Sequence, residues 1–357
     1  MTLDRAVALV RGEGRYKNVT AALEAISGQV RLDGVRRVLV KPNFVSTDHP
    51  LAATHVDAVR AVLNFIRARY DGSIIVAEGA ALSSTGEGFS NFGYESLIDE
   101  YGVELIDLNG DDTVAVRIYS RYLRPLTIQL ARTVVEADYR ISVCPPKTHD
   151  LVMATLAVKN MAMGALVNPQ AGRRSGGATG LTHRLARFVP KWVWRSELAE
   201  WVKGVFLGRL GGSSKMAMHQ GIPVLNLNLA LVASAVWPQL AVIDGWQGME
   251  VDGPGLGDPV DWRTALAGTD PLAVDTLTAY LMGFDPGKIG YLQYCRRLEL
   301  GVGVVERIKV VGNIASEDAG CVFAPHPNYQ RQLAWRMDGV EQYLETNRCD
   351  RSDGGGE

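Results

Sequence analysis

The chain has 357 residues, a length that allows one large domain or two ordinary ones. Apolar residues make up 47% of it, enough for a buried core, and the formal net charge of -2 argues against a nucleic-acid-binding surface. No stretch long enough to span a bilayer is free of charge, and the N-terminus lacks the apolar region of a signal peptide. The four cysteines have neither CxxC nor ferredoxin-like spacing, which argues against an iron–sulfur cluster. A reduced, cytoplasmic protein is expected.

Strand-like and helix-like segments alternate through the first half of the chain. Short apolar runs bounded by turns predict strands, and apolar residues at helical spacing predict helices. The predicted strands are 6–10, 37–40, 73–77, 103–108 and 139–143, with a hairpin over 114–118 and 126–130, and the predicted helices are 18–26, 55–69 and 94–101. This alternation predicts an α/β fold, a mostly parallel sheet with helices on both faces.

The second half of the chain continues the same pattern. Its predicted helices are 226–235, 271–283, 291–298 and 330–344, and its predicted strands are 240–243 and 308–311. Asp270 is expected to cap the helix that follows, because aspartate accepts backbone N–H bonds at a helix start and Pro271 suits the first helical position. A glycine-rich acidic stretch, 248–255, predicts a turn-rich connector.

Residues 172–215 depart from this pattern. They hold nine Lys or Arg residues against two Glu, together with five Trp and Phe residues. A basic aromatic helical insertion of this kind either packs on the main domain, lies on an anionic membrane surface as a peripheral contact, or closes over an anionic substrate. The expected organisation is an N-terminal α/β half at 1–171, the insertion at 172–215, a C-terminal α/β half at 216–345 and a flexible tail at 346–357.

The sharpest candidate site follows the strand at 139–143. Pro145 and Pro146 cannot continue a sheet ladder, so the chain breaks there. Directly after the break come a cation, a hydroxyl, an imidazole and a carboxylate: Lys147, Thr148, His149 and Asp150. An apolar helix-like run from Leu151 then carries Lys159 and Asn160. Strand ends that feed helices are the places where open α/β sheets bind ligands.

Polar residues also follow the other predicted strands. They are Lys41, Asn43, Glu78 and Asp244. Because the carboxyl ends of parallel strands lie along one edge of a sheet, these side chains are expected to converge with the cluster at 147–150. Lys41 and Lys147 each adjoin a proline that fixes the turn, and Lys159 must pair, shift its pKa or meet a ligand if its helix is buried.

The first functional interpretation is an enzyme that acts on a small carboxylate- or phosphate-bearing molecule. His149 and Lys147 would be its catalytic residues, and His55 or His219 would assist in acid–base chemistry. The anion would be held by cations and polar side chains: Lys41, Lys147 and Lys159, with Asn43, Thr148, Asn160 and Asp244.

Two further interpretations remain open. The second is a metal-dependent or redox enzyme, whose divalent metal would be bound by His55, His149 and His219 together with Glu78 or Asp150. No pair of these histidines has HxH or HxxxH spacing, so the sequence signal for a metal is weak. The third is a ligand-binding or membrane-docking module that acts through residues 172–215.

Several sequence strings occur in a fixed order along the chain. They are VLVKPNF, KTHD followed by AVKNM, MHQ, VIDGWQGMEVDGP and AGTDPLAVDTLTAYLMGFDP. Together, over about residues 38–286, they resemble the family called domain of unknown function 362. By similarity, the family's motif positions are Lys41, Asn43, Thr54, His55, Lys147, Thr148, His149, Lys159, Asn160, His219, Asp244, Gly248, Glu250, Asp270 and Asp275. Many members carry ferredoxin-like cysteine motifs, which implies redox work, and this chain lacks them.

Overall fold

A computed structural model describes residues 5–81, 83–168 and 214–345 of the chain. The strands are β1 Ala6–Arg11, β2 Arg37–Lys41, β3 Ser73–Glu78, β4 Glu104–Asp107, β5 Thr113–Tyr119, β6 Pro125–Ala131, β7 Tyr139–Cys144, β8 Lys147–His149, β9 Met153–Thr155, β10 Leu240–Glu250, β11 Asp258–Gly268 and β12 Lys309–Gly312. The helices are α1 Arg15–Ala25, α2 Val56–Arg67, α3 Thr85–Asn91, α4 Ser96–Tyr101, α5 Arg132–Val135, α6 Ala157–Gly164, α7 Ser214–Met218, α8 Ile222–Ala235, α9 Pro271–Leu281, α10 Gly290–Arg297, α11 Ser316–Ala319 and α12 Tyr329–Gln332. The predicted insertion lies almost wholly outside the described residues, and the predicted tail lies wholly outside them.

Ten of these strands form one sheet. The order is β12–β1–β11–β10–β7–β2–β3–β4, with β8 beside β10 and β9 beside β8. Neighbouring strands from β10 to β4 run parallel, whereas β11 is antiparallel to both β1 and β10. The predicted mostly parallel α/β sheet is therefore confirmed. Strands from the two predicted halves lie side by side in it, and the division into halves remains a prediction.

Helices cover both faces of the sheet. Leu39 and Ile243 point into a core formed with α6, α8, α9 and α10, whereas Val40 and Val242 point into a second core formed with α1 and α2. Successive side chains of a strand point to opposite faces, so a strand covered on both sides must be apolar throughout. This explains why the central strands are continuous apolar runs that end abruptly in polar residues.

The prediction of a helix from Leu151 is wrong. Strands β8 and β9 form an antiparallel hairpin there, and α6 begins only at Ala157. The hairpin turn is closed by the His149 ring, whose Nδ1 lies 3.0 Å from the N–H of Leu151, and Met153 adopts a left-handed φ of 63°. Local side-chain hydrogen bonding thus competes successfully with an apolar helical pattern.

Two other predicted elements also differ. The stretch 248–255 is not only a connector, because β10 continues to Glu250 and pairs with β11 across a bulge between Gly245 and Gln247. The closing helix predicted over 330–344 breaks after α12 and resumes only at residue 341. Gly339 lies in that break with a positive φ of 72°, a conformation that ends helices.

Asp270 caps α9 as predicted. Its buried carboxylate accepts the N–H of Ala273 at 3.0 Å and that of Val302 at 2.9 Å.

We expect Asp270→Ala to lower the free energy of unfolding by about 2–4 kcal/mol, because two N–H groups lose a charged acceptor. Asp285→Ala is the matched control: its exposed carboxylate caps a short turn through the N–H of Gly287, and we expect a loss of about 1 kcal/mol or less. Denaturant unfolding measures both, and equal losses would contradict the structural role of Asp270.

Candidate functional site

A chain of buried polar side chains begins at the carboxyl end of β2. The ammonium of Lys41 donates to the carboxylate of Glu78 and, at 3.0 Å, to Oδ1 of Asn160. It also donates to the carbonyl of Pro42 at 2.8 Å. These three acceptors use all three ammonium protons, so Lys41 has no donor left for a ligand in this arrangement.

The polar chain continues to a second lysine. Asn43 donates to Oδ1 of Asn160 at 3.1 Å and accepts from the ammonium of Lys147. Lys147 is fully buried and donates also to the carbonyl of Ala52 at 3.0 Å, and burial lowers its pKa to about 7. We call Lys41, Glu78, Asn160, Asn43 and Lys147 the lysine–asparagine network. It ties the end of β2 to β3, β8 and α6.

Lys159 differs from both of these lysines. Its side chain is only 7% exposed, and it makes no hydrogen bond or ion pair with any residue that the structure describes. Burial lowers its pKa to about 8, although the negative charge of Asp150 opposes that shift, and the charge of Lys159 in turn lowers the pKa values of Lys147 and His149. A buried ammonium without a partner is costly unless a ligand supplies one. Lys159 is therefore the strongest ligand-binding candidate among the predicted cations.

His149 lies within electrostatic reach of Lys159 and is 5% exposed. Its Nδ1 is 2.9 Å from Oδ1 of Asp150 and 3.0 Å from the N–H of Leu151. Nδ1 can serve only one of them at a time, donating to Asp150 when it carries a proton and accepting from Leu151 when it does not. Burial, reinforced by Lys159, lowers the pKa of His149 to about 4, so the ring is neutral at pH 7.

His219, which directly follows α7, lies within electrostatic reach of His149. Its Nδ1 is 2.6 Å from the carbonyl oxygen of Lys215, and because a carbonyl only accepts, Nδ1 carries the proton and Nε2 is left as a base. The ring is open to solvent on one side, yet the atoms packed around it lower its pKa, and Lys159 and Asp150 are within electrostatic reach. We call His149, Asp150, Lys159 and His219 the His149 cluster.

His55 and Asp244 belong to a different group. Asp244 is buried and pairs with Nε of Arg15 at 2.8 Å, and burial raises its pKa to about 6 despite that partner. His55 caps α2 by accepting the N–H of Asp57 at 3.2 Å, and burial together with Arg15 lowers its pKa. Sequence reasoning missed Arg15. Its place at the first position of the helix after β1 is the signal that could have found it.

The predicted metal ligands do not all come together. Within residues 5–81, 83–168 and 214–345, no group of three or more His, Cys, Asp or Glu side chains is arranged to hold a metal ion. Glu78 is engaged by Lys41, and His55 lies in the group around Arg15. A divalent metal therefore remains a prediction, without support from the arrangement of these side chains.

Thr148 and the insertion complete the predicted set. The hydroxyl of Thr148 donates to the carbonyl of Val251 at 3.3 Å, so it bonds to the turn that follows β10. No helix in the described part of the chain is long and apolar enough to cross a membrane. Peripheral membrane contact through residues 172–215 and a cytoplasmic location remain predictions.

These observations define an α/β protein whose candidate site lies at the carboxyl edge of a mostly parallel sheet and is built around buried lysines. The family described as domain of unknown function (DUF362) matches residues 38–280, and the chain belongs to this family. The resemblance that the sequence motifs indicated is thereby confirmed. Arg15 and everything after residue 280 lie outside the matched residues.

Two known proteins are similar to this chain. The "Thylakoid-associated protein sll1697" of Synechocystis sp. is 23% identical over 272 residues, which are 76% of this chain and 70% of that protein. The structure of the lactate racemase apoprotein from Thermoanaerobacterium thermosaccharolyticum is 14% identical, with a TM-score of 0.41, over 82% of this chain and 56% of that one. The chain thus spans little more than half of that structure, and a likeness this low carries no conclusion about activity.

Gly164 tests the rigidity of the lysine–asparagine network. A Cβ atom at this position would collide with the end of the Lys41 side chain, which three acceptors hold in place. We expect Gly164→Ala to lower the free energy of unfolding by about 2–3 kcal/mol. In the control Gly28→Ala the new Cβ meets no atom within 4 Å, and we expect a change of about 0.5–1 kcal/mol, in either direction. If both variants unfold at the same denaturant concentration, Lys41 is free to move and the network is not a rigid constraint.

Proposed function

We propose that this protein binds a small carboxylate- or phosphate-bearing molecule in the His149 cluster and catalyses proton transfer on it. The observation that carries the proposal is the ammonium of Lys159, buried without a partner among the described residues and within electrostatic reach of a buried neutral histidine. The charge of Asp150 acts on Lys159 without an ion pair between them, so an anion would supply the contacting counter-charge, and surroundings that exclude water would strengthen the pairing. The atoms next to that anionic group would then lie close to His149.

The other lysines support the site without contacting the ligand. All three protons of Lys41 are used, and Lys147 is fully buried with two acceptors. Their network holds Asn160, the residue after Lys159, and Lys147, two residues before His149. Lys41, with three acceptors, and Lys147, with two, thus fix the backbone that presents Lys159 and His149.

His149 and Asp150 supply the acid–base pair. When Nδ1 of His149 carries the proton and donates a hydrogen bond to Asp150, Nε2 is unprotonated and can act as the base. Burial is the main cause of the low pKa of His149, and the charge of Lys159 adds to it; an anion bound to Lys159 would offset the second contribution and so raise the pKa of His149. His219, whose Nε2 is also free, fits the assisting role better than His55, which lies beside Arg15.

Lys159→Met is expected to abolish stabilisation by small anions. Inorganic phosphate and succinate should raise the Tm of the wild-type protein at pH 7, and the rise should fade above about pH 8 as the ammonium of Lys159 loses its proton. The matched control is Lys17→Met, which removes an exposed lysine and should respond like the wild type. Thermal unfolding with and without each anion measures the effect. A Lys159→Met protein that keeps the full anion response would sink the proposal.

The same variant has a predicted pH dependence without any anion. The pKa of Lys159 is about 8 in the folded chain and 10.5 when unperturbed, so between these values the unfolded chain binds more protons and wild-type stability rises with pH. Below about pH 8 the full cost of burying the ammonium remains. Lys159→Met should therefore be more stable than the wild type at pH 7, by about 2–3 kcal/mol, and lose this advantage by about pH 10.

His149→Gln is expected to stop proton transfer but not anion binding. In D2O, the wild-type protein should exchange deuterium into an acidic C–H of at least one member of a panel of small carboxylic acids, followed by NMR. His149→Gln should slow this exchange by about 10²–10⁴-fold while keeping the Tm rise with phosphate. His219→Gln should slow it less, and the loop variant His49→Gln should not change it. Undiminished exchange in His149→Gln would show that another residue is the base. If the wild-type protein exchanges no deuterium, the proposed proton transfer is wrong and only the proposed anion binding stands.

A further inference from the structure

A segment beyond the residues that the family matches lies against the β8–β9 hairpin. We call this segment, residues 321–332, the strap. Its first part is anchored on β10 and the turn after it: Ala324 accepts the N–H of Val251 at 3.0 Å and donates its own N–H to Glu250 at 2.6 Å. Phe323 is buried in the core. The start of the strap therefore has a fixed position.

The rest of the strap holds the backbone of the acid–base pair. Nε2 of Gln332 donates to the carbonyl of His149 at 2.6 Å, and Nδ2 of Asn328 donates to the carbonyl of Asp150 at 3.2 Å. Asn328 is itself held, because its N–H donates to Nδ1 of His326 at 3.0 Å. Two consecutive peptide groups at the end of β8 are thus bonded by side chains from one segment distant in sequence.

The orientation of these two peptide groups affects which hydrogen-bond partner is available to Nδ1 of His149. The carbonyl of His149 belongs to the peptide that links His149 to Asp150, so its orientation sets the relative directions of the two side chains. The carbonyl of Asp150 belongs to the next peptide, which also carries the N–H of Leu151. That N–H competes with Asp150 for Nδ1 of His149, at 3.0 Å against 2.9 Å. Small rotations of either peptide would therefore change the partner of Nδ1.

The buried side-chain amide of Gln332 is only partly hydrogen-bonded. The residue is 2% exposed, and its Oε1 is buried without a hydrogen-bond partner. Turning the amide over would not help, because Oε1 would then face the carbonyl of His149, which is also an acceptor. A half-satisfied buried amide is worse for stability than an apolar side chain of the same shape. The hydrogen bond that Gln332 does make is the one to the carbonyl of His149.

We propose that Gln332 and Asn328 are positioning residues, which hold the peptides around Asp150 so that Nδ1 of His149 donates to Asp150 and Nε2 is the free base. The inference rests on the proposed role of His149 in proton transfer. It extends the site to a segment outside the family match.

The test is the tautomer of His149 in the intact chain without ligand. Ring nitrogen shifts of ¹⁵N-histidine-labelled protein at pH 7 report which nitrogen carries the proton, and His149→Gln assigns the signal. We expect the proton on Nδ1 in the wild type and shared between both nitrogens in Gln332→Met. Gln330→Met, an exposed position in the same short helix α12, should match the wild type. Asn328→Ala is the second variant, in case Gln332→Met does not fold.

Each outcome decides the matter. A shared proton in Gln332→Met or Asn328→Ala, with a Tm close to that of Gln330→Met, supports the positioning role, because a merely structural role would move the Tm and not the tautomer. Wild-type shifts in both variants would overturn it, as would a wild-type proton on Nε2. Failure of the proposed function is separate: it would appear as a wild-type protein without any Tm response to phosphate, whatever the tautomer.

Discussion

The ammonium of Lys41 is buried at the end of a central strand, and the partners that it requires organise the carboxyl edge of the sheet. A cation in the interior must be paired and fully hydrogen-bonded, or the fold loses several kcal/mol. Glu78 comes from the neighbouring strand β3 and Asn160 from helix α6, so one charge joins three elements. Asn43 donates a hydrogen bond to Asn160 and accepts one from Lys147, which connects strand β8 to the same network. The network places the site residues and is itself closed to ligands.

A buried carboxyl group on α9 places Lys159. Asp275, on α9, accepts the N–H groups of Ala157 and Val158 at 2.9 and 2.8 Å and so anchors the start of α6. Burial raises the pKa of this carboxyl to about 7 in spite of the two N–H donors. Lys159 follows directly in the first turn of α6, and its side chain is held beside the β8–β9 hairpin. Asp275 anchors the start of helix α6, and the lysine–asparagine network holds Asn160 in the same helix. Together they fix the position of Lys159, which has no hydrogen bond of its own to a described residue.

The family match covers the centre of the chain, yet side chains from both flanks bond to residues within it. Arg15, from the first helix, pairs with Asp244 at the end of the apolar part of β10. Gln332 and Asn328, from the strap, bond the backbone of His149 and Asp150. The lysines of the site, its histidines and most of the groups bonded to them lie within the matched residues, whereas Arg15, Asn328 and Gln332 lie outside them.

The sequence by itself determined the α/β class, the strand ends, the proline break before Lys147 and the Asp270 cap, because periodicity and turn chemistry act over a few neighbouring residues. Only the tertiary structure decided which lysine lacks a partner. All three of Lys41, Lys147 and Lys159 were predicted to bind an anion, and the acceptors that distinguish them come from distant residues. It also replaced a predicted helix by the β8–β9 hairpin and assigned His55 to the group around Arg15. Contacts between residues a hundred or more positions apart carry no local signature, so a single sequence does not reveal them.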